Sequence, residues 1–136
     1  MTNQELKDQV KTNLTFVDSE IDESHSPEGD DIDGIVGHGM RISALIGLCA
    51  KNLADAKKVL SISELQYLQA NKELYDKPTI LKKLMEGSLA DEHHLVLWAD
   101  RLMAACTHKM DFYRSVLSKY KEELRNTNTF NNRANG

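Results

Sequence analysis

Apolar side chains recur at helical spacing from near the start of this chain. Leu6, Val10, Leu14, Val17 and Ile21 follow one another at intervals of 4, 4, 3 and 4, the period of one face of an α-helix. Thr2, with Glu5 three residues on, forms a capping-box pattern in front of them, so the spacing predicts a first helix over residues 3–23. Pro27 and Gly29 in "SHSPEGDD" then break the pattern. An exposed acidic loop is expected over residues 24–37.

The longest periodic run comes next. From Ile35 the positions Gly39, Ile42, Ile46, Cys49, Leu53, Ala56 and Leu60 alternate spacings of 3 and 4 after an initial 4, and the run continues to Leu74. A pattern sustained over more than five heptads predicts one unbroken helix over residues 38–75. "SISE", residues 61–64, offers the alternative, with Ser61 and Glu64 capping a separate helix. Pro78 suits the first turn of a short helix over 78–86 carrying Ile80, Leu81, Leu84 and Met85. A last helix is expected over 89–125, with Leu95, Trp98, Leu102, Cys106, Met110, Tyr113, Leu117, Tyr120 and Leu124 on one side. The Asn-rich end, residues 126–136, reads as a flexible tail.

The fold expected from these segments is all-α: an elongated helical bundle of three long helices and one short one, in a single domain over residues 1–125. The longest helices outrun what a 136-residue globule covers. Their uncovered stripes point to a homo-oligomer.

Charge adds a polarity to this picture. Residues 1–35 carry a net −8, residues 36–100 are balanced, and residues 101–136 carry a net +4. Opposite ends of opposite sign suit head-to-tail assembly or a basic end meeting an acidic partner. Cys49 and Cys106 lie in apolar surroundings with no CxxC motif, which reads as two reduced, buried thiols in a cytoplasmic protein. The opening "MTNQELKDQVK" resembles no secretion signal, and no uncharged apolar run reaches about 18 residues, so no membrane span is expected.

"GIVGHGMRISALIGLC", residues 34–49, holds four glycines. A phosphate loop wants such glycines after a strand, with a lysine following; here they follow an acidic loop, and Arg41 is the nearest cation. A small-nucleotide site near Gly37 to Arg41 is therefore the weakest functional reading. Gly39, Ser43 and Gly47 recur every fourth residue instead, a smooth strip for close helix packing. Asp91 and His94 share a helix face, but no second acid-x-x-His segment completes a metal bundle, and no nucleophile stands at helical spacing from a histidine. The expectation is no catalytic residue, no metal and no cofactor. Arg114, Lys121 and Arg125 lie at i, i+7 and i+11 on the last helix, where they can follow a phosphate backbone while Tyr113, Tyr120 or Phe130 stacks on unpaired bases.

"LVLWADRLMAACTHKMDFYRSVLSKYKEELR", residues 95–125, resembles the closing helix of small all-helical bacteriophage and prophage proteins. The wider arrangement over residues 40–125, a long helix, "YDKP", a short helix and a last helix led by Trp98, is similar to phage recombination mediators of the UvsY type. The resemblance implies a non-enzymatic helical oligomer that binds single-stranded DNA and helps load a recombinase. Mediators carry basic residues late in the long helix; here that stretch is "SISELQYL", and Lys57 and Lys58, a turn earlier, are the substitutes. The nucleic-acid-binding candidates are thus Lys57, Lys58, Arg114, Lys121 and Arg125. The alternative is a protein-directed module, a virion or assembly component or an inhibitor of a host protein, acting through its apolar stripes and the acidic segment 18–33.

Overall fold

The computed structural model describes residues 1–22 and 25–135. It is all-helical, with no strand among the described residues: α1 (Asn3–Glu20), α2 (Ile32–Ala70), a 3-10 turn (Lys72–Leu74), α3 (Pro78–Ser88) and α4 (Ala90–Asn135). α1 begins on the expected capping box. Glu5 N donates to the Thr2 hydroxyl at 3.1 Å, and Thr2 N donates to the Glu5 carboxylate at 3.0 Å.

α2 starts six residues before the expected position, so the acidic loop is shorter than the sequence suggested. Asp31 is the reason: its carboxylate accepts the Gly34 amide at 3.0 Å and so satisfies one of the free donors of the first turn. A Cβ on Gly34 would stand 2.1 Å from Asp31 Oδ2. Glycine at this position is what lets the cap close. Ser61 and Ser63 do not interrupt the helix. Ser63 instead accepts a hydrogen bond from Asn3 of α1 at 3.0 Å.

α2 ends at Ala70 rather than near residue 75, where Asn71 Nδ2 donates to the Tyr67 carbonyl and the Tyr75 hydroxyl donates to that of Leu68, both at 2.8 Å. At the other end of the chain α4 runs on to Asn135, through the stretch expected as a loose tail. Gly136 lies outside the described residues.

The helices alternate in direction. Asn3 reaches Val59 and Ser63, and Asn13 Nδ2 donates to Asn52 Oδ1 at 3.1 Å, so α1 runs antiparallel to α2. Tyr113 meets His38, so α4 is antiparallel to α2 and parallel to α1. Lys7 fastens the parallel pair where α4 starts, its ammonium 2.9 Å from both Asp91 and Glu92. Burial opposes the charge on Lys7, but the two carboxylates outweigh it and raise its pKa. Bonds from Lys7 and Lys11 lower that of Asp91 to about 2.

The core lies between these three helices and includes Val10, Leu14, Ile42, Cys49, Leu95 and Cys106. The buried line on α2 is not quite the one read from the sequence. Leu45, Asn52 and Val59 are buried, whereas Ile46, Leu53 and Leu60 are only half-buried. The helix is rotated so that Asn52 enters the core, where its amide nitrogen donates to the Leu48 carbonyl at 2.8 Å and its oxygen accepts Asn13. Burial without those partners would cost about 1–3 kcal/mol.

Candidate functional site

The core stops at Val59 on α2 and at Tyr113 on α4, and both helices continue. The extension of α4 is the better-formed surface. Leu117, Ser118, Tyr120, Arg114 and Lys121 face Val36 of α2 across a groove of about 470 Å³. An adjoining hollow of about 310 Å³ is lined by Gly39, Met40, Ser43 and Met110. Val36 and Met40 are 44% and 72% exposed, and Tyr120 and Leu124 are 38% and 46% exposed. The groove therefore has an apolar lining with Arg114 and Lys121 as its cations.

These positions divide the sequence-derived candidates. Arg114 and Lys121 share the groove, and exposed Arg125 follows one turn along α4. Arg114 is also paired with Asp111 at 3.5 Å, both side chains largely in solvent. Lys57 and Lys58 are exposed on α2, 21 and 22 positions past Val36, roughly 30 Å along the helix axis. They do not join the groove.

The packing strip is corrected more sharply. Gly39 is buried, and a Cβ on it would lie 3.6 Å from the Tyr113 ring, so α4 does come close there. Ser43 and Gly47 are exposed, and a Cβ on Gly47 would meet nothing within 4 Å. Within the chain only Gly39 is packed against α4, Ser43 borders the hollow beside Met110, and Gly47 faces open space.

The charged ends of the sequence meet at the same end of the bundle. Lys109 donates to Ser26 in the loop before α2, and Gly29, Asp30 and Ile32 line a hollow with Val116, Lys119 and Tyr120 of α4. Acidic and basic segments are thus neighbours within one chain. The stretch from Gly37 to Arg41 is helix rather than a phosphate loop, and Arg41 reaches Glu20 at 3.4 Å.

Comparison with protein-family models, with characterised proteins and with solved structures finds no match for this chain. The groove's chemistry therefore has to be read from its own residues.

His38, like Asn52, is a buried polar residue that periodicity missed. It is buried, and its Nδ1 shares a hydrogen bond of 2.5 Å with the Tyr113 hydroxyl. Nε2 is buried with no well-formed hydrogen bond among the described residues. Desolvation lowers the pKa below 6.5, Lys109, Arg41 and His25 add to that, and the Glu20 carbonyl opposes it. The imidazole is thus held neutral as a packing element. Of the other histidines, His94 stacks on Trp98, with ring centroids 6.3 Å apart, and its helical neighbour Asp91 is occupied by Lys7 and Lys11. Among the described residues no three His, Cys, Asp or Glu side chains gather into a metal site.

Val36 and Met40 were also missed, the first because it fell in the expected loop. The signal was present in Asp31 followed by Gly34, a cap that starts the helix early enough to give them a face. α2 has an 18-residue window of mean hydropathy 1.2, long and apolar enough by composition to cross a membrane, and a third of it is buried in the bundle. A core helix has the same composition.

Proposed function

We propose that this chain is a non-enzymatic helical interaction module whose working surface is the groove between the start of α2 and the extension of α4, and that its partner is an acidic amphipathic helix. The observation that carries this reading is the pairing of exposed Val36 and Tyr120 and half-buried Leu117 with Arg114 and Lys121 on one open groove. An apolar helix face fills such a groove while its flanking carboxylates meet the cations. Charges of this kind contribute mainly register and association rate, and the apolar contact contributes most of the affinity.

Single-stranded DNA is the second reading, and the adjacency of Tyr120 to Lys121, with Arg114 two turns earlier on the same face of α4, favours it. An aromatic ring beside cations takes a base and its phosphates. This is the role that resemblance to phage mediators implies. It loses Lys57 and Lys58 from its contact set and keeps Tyr120.

One titration separates the two. A labelled synthetic helix with a leucine face flanked by glutamates, and a labelled oligo-dT of 20 nucleotides, are each followed by fluorescence anisotropy against the full chain. The proposal expects peptide binding that weakens at least tenfold in Arg114→Glu/Lys121→Glu and also in Leu117→Ser. Binding of the oligonucleotide alone, falling steeply with salt, would replace it with the second reading. No binding of either would reject the groove as the working surface.

A further inference from the structure

α1 closes only one side of the seam between α2 and α4. It meets α2 through Arg41, Asn52 and Ser63, and it meets α4 through Asp91 and Glu92, with Ile21 beside Ala105 and Lys109. By helical spacing the other flank of the seam carries small Ser43, Gly47 and Ala50 from α2, all exposed. From α4 it carries half-buried Val96, Met103, Met110 and Leu117, each seven residues from the last. The trough between these two lines opens at one end into the groove, where Ser43, Met110, Arg114 and Leu117 share a hollow. Exposed Asp100, Thr107 and Arg114, again seven residues apart, run along its rim.

These lines are complementary to themselves. In an antiparallel pair of identical helices, residues equidistant from the two-fold axis face each other. An axis beside Thr107 sets Asp100 of one copy against Arg114 of the other, and brings Met103 over Met110 and Val96 over Leu117. A parallel pairing would instead set Arg114 on Arg114 and Asp100 on Asp100. His38 and Gly39 stand level with Tyr113, so Thr107, six residues back, stands level with residues 44–45 of α2. The small side chains of α2 thus lie at the axis, where two copies approach most closely. The stretch from Val96 to Leu117 is roughly 32 Å long, and two helices together are roughly 20 Å wide. That footprint, roughly 600 Å² per copy, is near the about 800 Å² per partner of a standard interface.

We propose that the occupant of the groove is a second copy of this chain, docked antiparallel across a two-fold axis beside Thr107 with the first turns of its α4 in the groove. This rests on the groove being the working surface, and it names the partner. Residues 90–100 carry Asp91, Glu92 and Asp100 with no lysine or arginine, and Leu97, beside Val96, is 53% exposed. That segment is an acidic amphipathic helix of the kind the groove takes. Each copy offers one such segment and one groove, so the contact closes on itself at two chains.

The test weighs the full chain by light scattering over a micromolar concentration series. The expected mass at the top of the series is about 31 kDa, twice the 15.4 kDa of one chain. Asp100→Arg and Arg114→Asp should each weaken the dimer at least tenfold. Both positions are exposed, so neither change burdens the fold. Mixed in equal amounts, the two variants should recover the dimer mass, because each contact then joins an arginine to an aspartate. No role within one chain gives that repair. A wild-type monomer that still binds the leucine and glutamate peptide would overturn the second copy as partner and leave the groove reading standing. A monomer that binds no peptide would overturn both. A mass of three or more chains, a dimer that both reversals leave intact, or variants that stay monomeric on mixing would also overturn the proposal.

Discussion

Residues 32–59 of α2 and 90–113 of α4 differ from the segments that continue them in burial, not in pattern. Apolar positions keep their helical spacing past Val59 and past Tyr113. Inside the core Ile42, Leu95 and Cys106 have essentially no exposed surface; outside it Leu65, Ile80 and Leu84 are about half exposed, as is Leu124. The difference follows α1. At 1.5 Å per residue α1 is roughly 27 Å long, α2 roughly 59 Å and α4 roughly 69 Å. Two helices in contact bury only a line, and a third closes the trough between them. Where α1 ends, the same amphipathic stripe becomes a surface that other molecules can reach.

The sharpest way to break this comparison is a pair of truncations. Ile42→Ala in the core should cost about 2–5 kcal/mol, and Leu124→Ala on the extension less than about 0.5 kcal/mol, both read from urea denaturation. Equal losses would mean that the extension is packed as firmly as the core. Next in size is Lys7→Ala at the junction of α1 and α4. It leaves the Glu92 carboxylate, whose side chain is 13% exposed, without its cation, and a loss of about 1–3 kcal/mol is expected in the same measurement.

A smaller effect comes from His38. The unfolded chain takes up a proton near pH 6.5 while the folded chain resists it, so the unfolded state binds more protons in the window below pH 6.5. Stability is fully present above that window and declines as the pH falls through it. Melting temperatures from pH 7.5 to 5 should show the decline, and His38→Gln should flatten it. Asp91 acts in a separate, more acidic window. Its lowered pKa contributes stability above its ordinary value of 3.8 that is lost toward about pH 2, and its exposure keeps the contribution small.

The smallest effect is expected at Gly47. Gly47→Leu adds bulk to an open helix face, and the unfolding free energy of the single chain should rise by less than about 1 kcal/mol through helix propensity. Light scattering on the same variant sharpens the comparison. A fall in mass relative to wild type would show that this outer face of α2 is covered by another copy.

Particular residues show why some of this was legible and some was not. Thr2 with Glu5, and the runs through Leu14, Ile42 and Leu102, announced their helices because capping and periodicity act within a few residues. Asp31 with Gly34 was an equally local signal, overlooked beneath the reading of an acidic loop, and it moved the start of α2 and with it Val36 and Met40. The groove was half visible: Arg114 and Lys121 share a face on one helix, but Val36 joins them from a segment about 80 positions away. Lys57 and Lys58 looked equivalent to those cations in sequence. Only the antiparallel course of α2 carries them to the other end.

By itself the sequence determined that the chain is all-helical and which broad face of each helix is apolar. These are consequences of 3.6-residue periodicity and of end-capping, both local. Tertiary structure alone decided the rotation that buries Asn52 and His38, the burial of Cys49 and Cys106 in one core, the placing of acidic and basic segments at one end of the bundle, and the point at which the core ends. Each of those depends on the register and relative length of helices distant in the chain, and an amphipathic stripe states that it will be covered without stating by what.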